Sequence, residues 1–373
     1  MKEKKLIDLC LNITDGVHST VIDDLKGDCY LLSCKNVKDG KIKFNNNDRF
    51  INFATLNHLR KRTKMEKGDV ILTTVGTIGE SSVIKDLYPK YEFQRSVAII
   101  KPNKDLILPK YLHYFLISKK GQNQIAARIK GAAQPCLFLT DLKQIEIELS
   151  DIQTQQHIVN IIGSIDDLIE KQNLKFDKIM NTSMIIFSSF ESKHKCNFKE
   201  AFRSFNGGTF KSKFYVEESD YKLITIKNIN DLGFDATKTA FLNKENANLK
   251  YKLSIGDILL TMTGNIGRSG IVDEENCYQN QRILKISCIS QLYLLCYLNK
   301  YKNNIIQLGK GTAQLNLSLE DINNLTVFNS PKEISKFSKY DAIFDELLNI
   351  KLQIKKLKSI KKSLLNKYFT NQQ

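Results

Sequence analysis

No stretch of this 373-residue chain approaches the roughly 18 consecutive apolar residues that a membrane-crossing helix needs. Behind the basic start, Met1-Lys-Glu-Lys-Lys, the residues Asp8 and Asn12 interrupt the apolar run, so a secretory leader is not expected. The eight cysteines, at 10, 29, 34, 136, 196, 277, 288 and 296, include no Cys-x-x-Cys pair and no spacing suited to zinc. Reduced thiols in a cytoplasmic protein are the economical expectation. Cys10, Cys288 and Cys296, in apolar surroundings, read as small buried hydrophobes. The five histidines are scattered, with no His-Glu-x-x-His and no carboxylate at ligand spacing. No Gly-x-Gly-x-x-Gly follows a strand, and Gly309-Lys310-Gly311-Thr312 has Gly where a phosphate loop needs Ser or Thr after Lys. Asp166 and Asp167 are adjacent, and adjacent helical residues point in different directions, which disfavours acid–base work. Nothing resembles the Asn/Asp-Pro-Pro-aromatic motif of an amino-methyltransferase. Neither a catalytic site nor a metal or cofactor bound by this chain is expected.

What the chain does carry is positive charge, 56 Lys and Arg against 40 Asp and Glu, a formal +16. Such an excess suits a polyanionic partner, nucleic acid or an anionic membrane. Richness in Lys, Asn and Ile is also what a compositional bias in the coding sequence would produce. Apolar content of 42% and charged content of 26% are ordinary for a folded protein. The length exceeds one typical core, so two or more domains are expected.

The organising stretch lies in the middle. Ile158, Ile162, Ile165, Ile169, Gln172, Phe176, Ile179, Ser183, Ile186 and Phe190 alternate in spacings of four and three. That is the seam of a coiled coil, and only Gln172 and Ser183 break its apolar character. A second seam runs through Tyr340, Ile343, Leu347, Ile350, Ile354, Leu357, Lys361, Leu364 and Tyr368. Two seams in one chain most simply pair; the plainer alternative has each helix packing only on its own globular domain. Lys351, Lys355, Lys356, Lys358, Lys361 and Lys362 crowd the second helix with no acid close in sequence, to face DNA, an acidic partner or solvent.

The segments ahead of the two helices match each other. Cys29 to Cys34 reads as a strand, Lys38-Asp-Gly-Lys as a turn, and Lys41 to Phe44 as a strand. Gly68-Asp69 turns into a strand at Val70–Val75, Gly76-x-x-Gly79 is a tight loop, and Leu108-Pro109 opens a helix. Gly68, Asp69, Gly76 and Gly79 recur at one constant offset as Gly256, Asp257, Gly264 and Gly267. Gln94-Arg95 recurs as Gln281-Arg282, Gly131 to Gln134 as Gly311 to Gln314, and Phe190 as Phe369. The chain is a duplication of domain and long helix: 1–150, 151–192, 193–330 and 331–373. The fold expected is α+β, two mixed α/β domains separated by two long helices in an antiparallel coiled coil with a pseudo-two-fold.

The loops offer candidate DNA contacts. Gly-x-x-Gly turns at Gly76, Gly79, Gly264 and Gly267 bring backbone N–H groups close to a phosphate, or simply make hairpins. Thr77, Asn265 and Arg268 sit in those turns, and Arg95 and Arg282 follow a shared Gln, to meet DNA or a carboxylate. Lys35-Asn36 and Lys227-Asn228 join a phosphate-type to an adenine-type partner. Arg128, Lys130 and Gln134 in one copy, and Lys310 and Gln314 in the other, couple a cation to a base-reading amide.

In the order and duplication of these motifs the whole chain resembles the specificity subunit of type I restriction–modification systems. The resemblance rests on Gly68-Asp69-Val70-Ile71-Leu72 with Gly76 and Gly79, and on their copies at 256–267. It rests also on Gln155-Gln156-His157-Ile158 leading to Ile165-Asp166, on Leu357 to Thr370, and on Gly207-Gly208-Thr209, with Asp15-Gly16 in its place in the first copy. Thr154 stands where the family commonly has Glu, and Pro331-Lys-Glu-Ile is a degenerate opening for the second helix. The resemblance implies that each domain is a target-recognition domain for one half of a bipartite double-stranded DNA site. It implies that the helices set the gap and dock two methyltransferase subunits, which carry S-adenosylmethionine, with restriction translocase subunits able to join. A competing reading is a coiled-coil scaffold whose paired domains bind protein or glycan. A nuclease or methyltransferase with a concealed site is the weakest alternative, given the missing motifs.

Overall fold

The structure, a computed structural model, describes residues 2–45, 47–311 and 315–370. It divides into two units, one holding residues up to Leu168 with those from Leu357 on, the other Ile169–Lys356.

In unit one the apolar runs Val70–Thr73 and Val97–Pro102 form the centre of a four-stranded antiparallel sheet, with Cys10–Asp15 and Ser81–Val83 outside them. Both central runs are buried on both faces, which is why they read as continuous rather than alternating. Successive residues serve opposite layers. Val70, Leu72 and Ile100 pack under the helix Pro109–Ile117 with Tyr111, Leu112 and Phe115. Ile71, Val97 and Ile99 pack against Leu32, Tyr91 and Phe93 of a three-stranded sheet on the other side. In that sheet Cys29–Leu32 runs parallel to Tyr91–Phe93 and antiparallel to Arg49–Ile51. Pro109 opens its helix where a missing N–H costs nothing.

Unit two repeats the plan. Its four-stranded sheet has the order Arg203–Asn206, Ile283–Ser287, Ile258–Thr261, Ser269–Ile271. Ile258 and Leu260 face one cluster and Leu259 the other. Tyr221–Ile224 again pairs in parallel with Cys277–Gln279 and antiparallel with Ala240–Leu242. A short edge strand, Tyr215–Val216, is added.

The long helices are Ile152–Phe190 and Ala342–Phe369. In each unit the two helix segments run antiparallel. Unit one joins Ile158, Val159 and Ile162 to Leu365 and Phe369 in one cluster. Unit two joins Met180 and Phe187 to Phe344 and Leu347. Its Gln172 donates to Gln353 at 2.9 Å, and Lys175 pairs with Glu346. The seam of Ile158 to Phe190 is buried or half-buried throughout. A second stripe, Val159, Gly163, Met180 and Phe187, is buried beside it. It packs on the adjoining globular domain, so helix pairing and helix–domain packing coexist.

Polar contacts lock helix to domain. In unit one the Tyr114 hydroxyl donates to Asp166 Oδ2 at 2.8 Å, and Lys361 Nζ meets Asp166 Oδ1 at 2.6 Å. Burial, with Lys361 and Lys110 adding to it, pushes the neighbouring His113 down to about 3, so this imidazole is neutral. Gln155, fully buried, accepts from the Leu108 N–H and donates to the Leu106 carbonyl, both at 2.9 Å.

Three expectations change. The second long helix begins at Ala342; Pro331–Phe337 is a separate helix, opened by a complete capping box in which Ser330 and Glu333 satisfy each other's backbone N–H. The lysines of the second helix do find acids, brought close by folding. Lys355 reaches Glu274 at 2.6 Å, Lys351 approaches Asp273 at 3.9 Å, and Lys361 holds Asp166, while Lys356, Lys358 and Lys362 are exposed. The cysteines form no disulfide, but only Cys296 of the three expected in the core is fully buried; Cys10 and Cys288 are half-buried. Burial pushes the thiols of Cys10 and Cys296 up to about 12.

Candidate nucleic-acid interface

In each unit the candidate residues lie on four loops that the backbone knits together. In unit one the Cys34 N–H donates to the Ser96 hydroxyl at 3.1 Å, joining the turn that carries Lys35 to the loop that carries Arg95. The Thr74 N–H donates to the Ser96 carbonyl, and the Leu137 N–H to the Thr74 carbonyl, both at 2.9 Å. Val75 bridges Cys136, which closes the Lys130–Cys136 loop against the Gly76 turn. Lys35, Thr77, Arg95, Lys130 and Gln134 are all exposed on this one end.

Unit two assembles the same way. The Met262 N–H donates to the Arg282 carbonyl, the Gly264 N–H to the Leu315 carbonyl and the Leu317 N–H to the Met262 carbonyl. Thr263 and Lys310 both bridge Asn316. Lys227, Asn265, Arg282 and Lys310 are exposed and Arg268 is half-exposed. Gln314 lies outside the described residues.

The Gly-x-x-Gly turn is built by a threonine that sequence reasoning overlooked. Thr73 Oγ1 bonds the Thr77 carbonyl and accepts the Glu80 N–H at 2.9 Å. Thr261, its counterpart in the second copy, does the same with Asn265 and Arg268. Gly79 and Gly267 carry positive φ, and a Cβ there would strike Gln122 at 2.7 Å or Ile306 at 2.9 Å. These two glycines serve the turn and its packing; the tip residues of the two turns, Thr77 and Asn265, are exposed.

Several candidates are held elsewhere. Asn36 and Asn228 are 2% exposed. The Asn36 amide accepts the Ser33 N–H and donates to the Lys43 carbonyl, both at 2.9 Å. Asn228 repeats this with Thr225 and Asp235 at 2.8 Å. Neither is presented to a base edge; each pins a single-turn helix under its exposed lysine. Arg128 donates to the Gln124 and Gln144 carbonyls at 3.1 and 3.0 Å. Lys130 pairs with Asp141 at 2.8 Å and Lys310 with Asp321 at 2.9 Å. The hydrogen bond to Asp321 raises Lys310 above the ordinary lysine value, so its charge is firmly kept.

Unit one also presents a basic element that the sequence reading left out, the helix Phe53–Thr63, with Arg60, Lys61 and Arg62 in its last turn. Its signals were Asn52 at the N-cap, accepting from Thr55, and the buried pair Leu56 and Leu59. Arg62 reaches back to Asp15 at 3.3 Å and Arg60 donates to the Tyr91 carbonyl, while Lys61 is exposed. Among the described residues no group of three or more His, Cys, Asp or Glu could hold a metal ion, and no helix is long and apolar enough to cross a membrane.

Comparison with known proteins matches both halves of the chain, residues 26–176 and 193–362, to the model of the type I restriction modification DNA specificity domain. The chain is 31% identical over 153 residues to the type I restriction enzyme EcoBI specificity subunit of Escherichia coli, covering 40% of this chain and 32% of that protein. It is 22% identical over 129 residues to the HindI specificity subunit of Haemophilus influenzae, covering 34% and 28%. The matched segments thus span about a third of these relatives. The fold is similar to that of the crystallised type I restriction-modification S subunit from M. genitalium, at TM-score 0.52 and 17% identity over 100% of this chain and 96% of that one.

Proposed function

The chain belongs to the type I restriction modification DNA specificity family, and from that membership we propose that it is the non-catalytic DNA-recognition subunit of a cytoplasmic restriction–modification complex. Each unit reads one half of a gapped, bipartite double-stranded target with its knitted loop end. Exposed Lys35, Arg95, Lys227 and Arg282 neutralise phosphates or meet guanine edges, and Thr77, Gln134, Asn265 and Arg268 supply sequence-dependent contacts. The Lys and Arg excess gives the affinity its salt dependence. The long helices set the gap between half-sites and dock two methyltransferase subunits, which restriction translocase subunits can join. Those methyltransferases, not this chain, supply S-adenosylmethionine and the chemistry on a flipped adenine.

One observation carries the reading. The same four loops recur on the same frame in both units, while the outward residues differ: Thr77 against Asn265, and Glu80 against Arg268. That is what two readers of two different half-sites require. Co-expression with the neighbouring genes, followed by adenine-methylation mapping of host DNA, tests it. A gapped bipartite methylated motif is expected. A chain that purifies alone, binds no DNA at moderate salt and leaves no motif would overturn the proposal in favour of a scaffold.

A further inference from the structure

In unit two, ion pairs join the segment after the strand Ser269–Ile271 to the second long helix, Lys355 to Glu274 and Lys351 to Asp273. In the register that places Gly68 on Gly256, Asp273 corresponds to Lys85 and Glu274 to Asp86, so at the first of the two positions the sign of the charge is reversed in unit one. There, a groove of about 910 Å³ runs between the end of the strand Ser81–Val83 and the first long helix. Its rim carries four exposed lysines, Lys67, Lys85, Lys104 and Lys110, against a single acid, Asp167. Ile84 and Val159 make an aliphatic floor.

Gly163, buried at the foot of the groove, adds an independent sign. A glycine inside a helix is less favourable than alanine, because it gives up more backbone freedom on folding. A Cβ there would meet only the Tyr114 hydroxyl at 3.7 Å and Lys110 Nζ at 3.8 Å, ordinary contacts. Nothing in the surrounding fold requires this residue to lack a side chain. In the register that places Phe190 on Phe369, its counterpart in the second copy is Ala342.

We propose that the groove receives a segment of a partner protein with acidic side chains for the lysine rim and aliphatic ones for the floor, seated closely over Gly163. The assignment rests on the reading that the chain assembles with partner subunits. A DNA backbone fits less well. The groove lies at the Gly68 end of the strand Val70–Thr73, whereas the recognition loop follows the other end at Gly76, and phosphates gain nothing from an aliphatic floor.

The test uses the full chain co-expressed with the proposed methyltransferase subunits. It compares the unaltered chain with K67E/K104E/K110E and with G163A, reading subunit association by sedimentation and DNA affinity on the assembled fraction. Charge reversal is expected to weaken association by about tenfold or more, with most of the difference lost at high salt. G163A should weaken it by roughly threefold or more while the melting temperature of the chain holds or rises. DNA affinity of assembled complexes should stay within about twofold. Association unchanged in both variants would overturn the assignment. A loss of DNA affinity with association intact would overturn it too, giving the groove to nucleic acid. If the unaltered chain fails to associate, the proposed function falls and takes this assignment with it, an outcome distinct from one confined to the variants.

Discussion

Between its third small-sheet strand and the central sheet, unit one inserts a capped, basic helix, Phe53–Thr63. At the same place unit two has only two single turns, Lys244–Asn246 and Leu249–Tyr251. Around this difference the frames coincide. Both have the same strand order, the same parallel pair, and a buried Asn under an exposed Lys. Both have the same Thr inside the turn, and an Asp–Lys pair across the central strands, Asp69–Lys101 and Asp257–Lys285. The duplication has kept several contacts that satisfy buried polar groups, while outward positions such as Thr77 against Asn265 and Glu80 against Arg268 differ. Leaving a buried donor unmatched costs about 1–3 kcal/mol, whereas exchanging an exposed side chain costs almost nothing.

The largest test of that division is Asn36→Ala against Asn228→Ala. Each strips a buried pin from two backbone groups, and each should cost about 2–4 kcal/mol in denaturant unfolding. A large cost in one copy and none in the other would break the claim of a shared frame. Next comes Lys351→Met, which leaves Asp273 buried among fewer cations. Burial already raises that carboxyl above its usual range despite Lys351 and Lys355. A loss of about 1–3 kcal/mol is expected. Arg95→Ala and Arg282→Ala, on exposed loops, should leave unfolding unchanged but each reduce the slope of log affinity against log salt by about 1. Methylation mapping should then show relaxed specificity in one half-site only; a change in both would contradict separate readers.

A smaller effect is expected at the capping box ahead of the second long helix. The Ser330 N–H, followed by the His194 ring, holds the Glu333 carboxyl down to about 2 from an ordinary 4.5. A depressed folded value means that its contribution is present above about pH 4.5 and is lost as pH falls toward 2. Glu333→Gln should lower the melting temperature slightly at neutral pH and leave it nearly untouched near pH 2, so that it flattens over that window. The smallest change should follow Lys130→Ala and Lys310→Ala. Their ion pairs are exposed, so melting should not move, and only DNA affinity would reveal them.

The seams, the duplication and the Gly-bounded turns were legible because each is a local pattern with its own period. Asp39 and Gly40 announce a tight hairpin by residue type, and both take positive φ. The equivalent turn holds Leu232 at φ 55, which no turn preference foretells. Asn36 and Asn228 looked like base readers because sequence shows an amide beside a lysine but not which way each side chain points. The lysines of the second helix looked unpaired because Glu274 and Asp273 lie in a distant part of the chain. The helix Phe53–Thr63 was missed since its apolar stripe is only Leu56 and Leu59, too short to establish a period.

The carboxylate of Asp166, shared between Tyr114 and Lys361, bears on how freely such domains can be interchanged. By alignment of the helices Tyr111–Leu116 and Tyr293–Leu298, the second domain has Cys296 where the first has Tyr114. A chimaera carrying a copy of the second domain in the first slot would arrive without the phenol, leaving Asp166 with the ammonium alone. Engineered exchange of the two domains should therefore proceed best when Cys296→Tyr travels with the graft, so that each transplanted domain brings its own half of the fastening.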